Sequence, residues 1–143
     1  MLGIIVSIIS GISMSIQGVF NTRLGDKIGI WETNLLVQGI GFILSLITVF
    51  VAGKGDFKEL KNANKLYLLG GVLGVIIIYT VMRGIKSLGP TYAICTILVA
   101  QLTAAALIDA FGLFGSEQIT FGLNKIIGVI VMVVGIIIFK CKG

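Results

Sequence analysis

A chain of 143 residues that is 57% hydrophobic and only 12% charged cannot clothe itself in a water-facing shell, because soluble domains carry about 25% charged residues. Its net charge of +5, from 11 basic and 6 acidic side chains, would suggest a nucleic-acid binder in a soluble protein, but here the basic residues stand between and after apolar runs, where they anchor helix ends. The absence of His excludes an imidazole proton relay and a His-based metal site, and Cys95 and Cys141 are too far apart in the sequence for a metal motif or an expected disulfide.

The apolar runs are continuous rather than alternating, and each is about long enough to cross a hydrocarbon core of roughly 30 Å. That pattern predicts helices rather than the period-two strands of an outer-membrane barrel. The first helix is expected over residues 2–22. No basic residue precedes it, so it reads as a retained span and not a signal peptide. The polar cluster Asn21-Thr22-Arg23 and then Gly25-Asp26-Lys27 is read as its end. The second helix is expected over 30–51, with Trp31 as an interfacial anchor. Residues 52–64 form the most polar stretch, a loop or a short surface helix. The third helix is expected over 65–85, closed by Arg83 and Lys86. Pro90, the single proline, suits the first turn of a fourth helix over 90–112, where no N–H is needed. The fifth is expected over 123–139. The fold class is therefore an all-α membrane protein of five transmembrane helices in a single domain spanning residues 1–143.

Small residues recur at helix-packing spacing. Gly3, Ser7, Gly11 and Ser15 do so on the first helix, and Gly70, Gly71 and Gly74 on the third. The fifth helix is apolar all round yet keeps Gly128 and Gly135, a candidate dimerisation seam.

With five crossings, Lys54, Lys58, Lys61, Lys65 and Lys125 fall on one side of the membrane, and Arg23, Lys27, Arg83, Lys86, Lys140 and Lys142 on the other. Orientation follows the difference in Lys and Arg between the sides. Here five stand against six, so the chain carries almost no insertion bias. Such a chain is expected to insert both ways and to pair as an antiparallel homodimer, the two-chain version of the inverted repeats found in many transporters.

Polar groups inside spans are candidate functional groups. Gln17 and Asn21 share one face of the first helix, extended by Ser10 and Ser13. Asn34 and Gln38 share one face of the second, Tyr79 and Thr80 lie on the third, and Gln101 stands near the middle of the fourth. Amides need hydrogen-bond partners, and their recurrence on several helices suggests a substrate pathway through Gln101, Gln17, Asn21, Gln38, Ser13 and Tyr79. Interhelical hydrogen bonding is the competing reading. Glu32 suits a helix N-terminus, Arg83 is expected to snorkel or to pair with Glu32, and Asp109 is either a proton-coupling group or the partner of Lys65 or Lys125. No nucleophile–base pair, metal cluster or cofactor motif is seen, which points away from an enzyme. No filter sequence or ring of charges points to a channel.

The pattern Gly11, Gln17, Asn21, Leu24 in the first helix and the pattern Gln101, Asp109, Phe111, Gly112, Phe114, Gly115 at the end of the fourth resemble the YdcZ-like family of the drug/metabolite transporter superfamily. The resemblance covers essentially the whole chain. In related members His often follows the Asp; here the residue is Ala110. The resemblance implies a multi-pass protein of the bacterial inner membrane, half the size of ten-helix inverted-repeat transporters, working as an antiparallel dimer of one chain or of two paired gene products. It supplies no substrate. The fifth helix is also similar to the dimerising last helix of small multidrug resistance proteins. The expected function is secondary-active transport of a small polar metabolite by alternating access, with no cofactor and no nucleic-acid partner. The rival is an accessory subunit, moving no solute, that packs against a larger membrane complex.

Overall fold

The computed structural model describes residues 1–119 and 122–141, the side chains of Lys140 and Cys141 excepted. Among the described residues it contains five α-helices: α1 Leu2–Ile28, α2 Ile30–Ala52, α3 Gly70–Leu88, α4 Pro90–Phe111 and α5 Leu123–Cys141. Four stretches of the described residues are long and apolar enough to cross a membrane: α1, α2, the Lys65–Leu88 segment that contains α3, and α4. The apolar run of α5, Leu123–Phe139, is shorter than these. Lys142, counted above among the basic residues, lies outside the described residues.

Helix α1 does not stop at Thr22. It runs on through Arg23, Asp26 and Lys27 to Ile28. Polar side chains do not end a helix when nothing breaks its backbone, and Lys27 in the last turn is favoured by the negative end of the helix dipole. The break comes at Gly29, whose φ of 102° and ψ of 153° lie in a region open essentially to glycine alone. Its carbonyl already serves α2, accepting from the Thr33 N–H at 3.1 Å and from the Thr33 hydroxyl at 2.8 Å.

The polar stretch after α2 folds into a 3-10 turn, Phe57–Lys61, started by the Asp56 carboxylate, which accepts from the Lys58 N–H at 2.8 Å. A second 3-10 turn, Lys65–Leu69, leads into α3 and is started in the same way by Asn64, which accepts from the Leu66 N–H at 3.0 Å. The third span thus begins near the expected residue, with its first turn wound more tightly.

The chain forms two compact units. Within the first, Met1–Ser87, α1 meets α3 at Gly18, where an added Cβ would lie 2.9 Å from Ile85 Cδ1 and 3.2 Å from Val81 Cγ1. Met82 and Ile85 are buried, with the Met82 sulfur near Gly25. The close approach therefore sits at Gly18 and Gly25. Around Gly3 and Gly11, where the small-residue stripe predicted it, the space is open. Ser7 and Ser15 instead donate to the carbonyls of Gly3 and Gly11 in their own helix.

In the second unit, Leu88–Gly143, α4 packs on α5. The segment after α4 folds back over its end. Ile119 N–H donates to the Asp109 carbonyl at 2.9 Å, Gln118 Nε2 to that of Ala110 at 3.0 Å, and the Ser116 hydroxyl to those of Leu113 at 2.9 Å and Ile108 at 3.4 Å. The Asp109 and Ala110 carbonyls are among those a helix C-terminus leaves unpaired. The reversal needs left-handed backbone at Gly112 (φ 60°), Phe114 (φ 58°) and Gly115 (φ 82°), which gives a physical role to the closing F-G-x-F-G of the fourth-helix pattern.

Large apolar side chains such as Phe20, Leu35, Phe42 and Phe50 stand exposed along the helices. In water such a surface would drive association. In hydrocarbon it is matched by the solvent, because the helical backbone satisfies its own polar groups.

Candidate functional site

Hydroxyls are the commonest polar groups in these helices, and most are already used. Those of Ser7, Ser15, Thr22, Thr33, Thr48, Thr80, Thr96 and Thr103 all donate to the carbonyl four residues earlier. Such internal bonds leave little polarity to offer a solute. The amides are different, since a carboxamide has two donors and an acceptor to satisfy.

Three side chains of α2 at helical spacing, Trp31, Asn34 and Gln38, face α3. The Trp31 and Tyr79 rings stack with centroids 4.8 Å apart and planes 18° apart. The Asn34 Nδ2 donates to the Val75 carbonyl at 2.9 Å. The Gln38 Nε2 lies over Gly74, 3.1 Å from where a Cβ would stand. As α2 advances from 31 to 38, α3 is met at 79, then 75, then 74. The two helices thus run antiparallel with a polar seam of about 10 Å between them.

Asn34 is the centre of this seam and is only 3% exposed. Its Oδ1 is buried and has no hydrogen-bond partner. A buried acceptor left unsatisfied costs about 1–3 kcal/mol, so Asn34 holds an unmet demand for a donor. Thr33 beside it is fully buried, and Asn21 and Thr22 of α1 are buried too.

The residues singled out from sequence divide as follows. Gln38 and Tyr79 belong to the seam, and Asn21 is buried on α1. Gln17 and Ser13 of α1 and Gln101 of α4 are exposed. Glu32 and Arg83 are exposed as well, with the Glu32 carboxylate lying against Gly29. The cation of α3 that makes an ion pair is Lys86, whose Nζ sits 2.6 Å from Asp26 Oδ1. Sequence reasoning missed this pair because Asp26 was taken for a loop residue. Trp31 was read only as an anchor, although its spacing to Asn34 and Gln38 was there to see.

Asp109 is half-buried and lines a groove of about 510 Å³ between α4 and α5, with Leu102, Ala105, Ala106, Lys125, Gly128, Val129 and Met132. Gly135 is exposed with open space around it. Among the described residues, no group of three or more His, Cys, Asp or Glu is placed to hold a metal.

Residues 2–138 match the model of the family described as "Putative inner membrane exporter, YdcZ". The chain belongs to the YdcZ family. No curated protein and no solved structure matches it. YdcZ membership agrees with the four stretches long and apolar enough to cross a membrane, and supports a membrane protein of the transporter type.

Proposed function

We propose that this YdcZ-family chain exports a small polar metabolite by secondary-active transport. In this reading all five helices cross the bacterial inner membrane, α5 included. Two copies pair in opposite orientations, and rocking of one against the other exposes the site alternately to each side. Gly128 and Gly135 of α5 serve the pairing, as small residues at a helix interface do.

The observation that carries this reading is Asn34. A protein that only needed interhelical hydrogen bonds would pair both ends of a buried amide. Asn34 pairs its donor and leaves its acceptor orphaned, which suits a group that meets a donor-bearing solute in another state of the cycle. Gln38 and Tyr79 extend the polar surface on either side, and Asn21, Gln17 and Ser13 line the approach from α1. Gln101 joins the reading on a separate ground: the symmetry of an antiparallel pair brings the two copies of this mid-helix residue to similar depth, where they line one symmetric part of the substrate pathway.

The test is flux in proteoliposomes. Gln101→Ala is expected to impair transport without abolishing dimerisation, and unchanged transport would remove it from the pathway. A purified native protein that moves no solute yet copurifies with a larger membrane complex would favour the accessory-subunit reading instead.

A further inference from the structure

The groove between α4 and α5 has a chemistry of its own. It is lined by positions 102, 105, 106 and 109 of α4 and by 125, 128, 129 and 132 of α5. Both sets follow the one-face spacing of an α-helix, and the helices run in opposite directions through it. Asp109 and Lys125 thus share one end, while Leu102 and Met132 mark the other, about 10 Å deeper. Asp109 is two residues from the α4 C-terminus and Lys125 two from the α5 N-terminus, so the charged end lies where a span meets the headgroup layer.

Each charge is reinforced by its helix. The C-terminal end of α4 carries partial negative charge and adds to the Asp109 carboxylate, and both favour a cation. The N-terminal end of α5 carries partial positive charge and adds to the Lys125 ammonium, and both favour an anion. The rest of the groove is apolar, with Ala105, Ala106 and Gly128 leaving the room. The ligand such a site complements has a cation and an anion side by side and an apolar tail leading away from them.

The geometry points to a phospholipid with a primary-amine zwitterionic headgroup, a phosphatidylethanolamine, seated in this groove. Its ammonium donates to Asp109, its phosphate sits at Lys125 and the start of α5, and the upper part of an acyl chain lies along Ala105, Ala106, Gly128 and Met132. A choline headgroup carries the same charges but no N–H, so it cannot donate to Asp109. The site therefore discriminates by hydrogen bonding rather than by net charge. This inference does not rest on the export reading, but it gives Gly128 to the lipid and leaves the pairing of copies to Gly135, which lies outside the groove.

The test is native mass spectrometry of the full chain, delipidated in detergent and offered equal amounts of dioleoyl-phosphatidylethanolamine and dioleoyl-phosphatidylcholine. One hydrogen bond to a charged group predicts retention of the ethanolamine lipid about tenfold above the choline lipid. Asp109→Leu, which removes the acceptor, is expected to bring the ratio close to one. Ala106→Trp, which fills the groove, should remove retention of both lipids. Should Ala106→Trp fail to fold, Lys125→Gln gives a second reading, lowering retention of both lipids through loss of the phosphate partner. Equal retention of the two lipids by the native chain would overturn the assignment. So would a preference that survives Asp109→Leu, or a groove closed by a second copy, seen as a dimer that retains neither lipid.

Discussion

At the scale of single residues, two positions carry the account. Gly29 joins α1 to α2 in a conformation that a side chain rarely adopts, and a Cβ there would also run into the Glu32 carboxylate. Gly29→Ala is expected to lower stability by about 1–3 kcal/mol, read as a fall in unfolding temperature in detergent. Asn34 behaves in the opposite way. Replacing a half-satisfied buried amide by an apolar group of similar size removes the orphaned acceptor, and the Val75 carbonyl it releases lies inside helix α3. Asn34→Leu is therefore expected to keep the native stability or raise it by about 1 kcal/mol. If Asn34 were interhelical glue, the same change would destabilise the protein. Asn34 and Gln38 could be read from their four-residue spacing. That only one end of the Asn34 amide is paired could not, because it depends on which α3 carbonyl comes opposite.

At the scale of elements, the helices were legible and their ends less so. Long apolar runs announce a span wherever they occur, and α2, α4 and the third span fall close to the expected residues. The end of α1 was misplaced because Asn21, Thr22 and Arg23 look like a polar boundary, whereas only Gly29 breaks the backbone. The small-residue stripe was legible as a pattern but not as a contact. A glycine permits close approach without saying which helix approaches, and in α1 the glycines approached are Gly18 and Gly25. Gly18→Leu is expected to force α3 outward and cost about 1–3 kcal/mol, while Gly11→Leu, facing open space, should leave thermal stability near the native value. Equal effects at the two positions would contradict the α1–α3 packing. The reversal after α4 explains why glycines follow Asp109: Gly112 and Gly115 take the positive φ that brings Ser116, Gln118 and Ile119 back onto the helix end.

At the scale of the whole molecule, the exposed apolar faces and the even split of basic residues belong together. A chain with almost no orientation bias is expected to populate both topologies. Single cysteines at Asn62 and at Ser87, in a background without Cys95 and Cys141, should each be about half accessible to an impermeant thiol reagent from one face of the membrane. Full labelling of one site and none of the other would fix a single topology and remove the antiparallel pair. The central claim concerns transport through the polar seam, and solid-supported-membrane electrophysiology on proteoliposomes tests it most directly. The native protein, offered a panel of amino acids, amines and sugars, is predicted to give a transient current with at least one of them, and Asn34→Leu, folded and equally stable, is predicted to give none. A native current that Asn34→Leu reproduces in full would contradict the account.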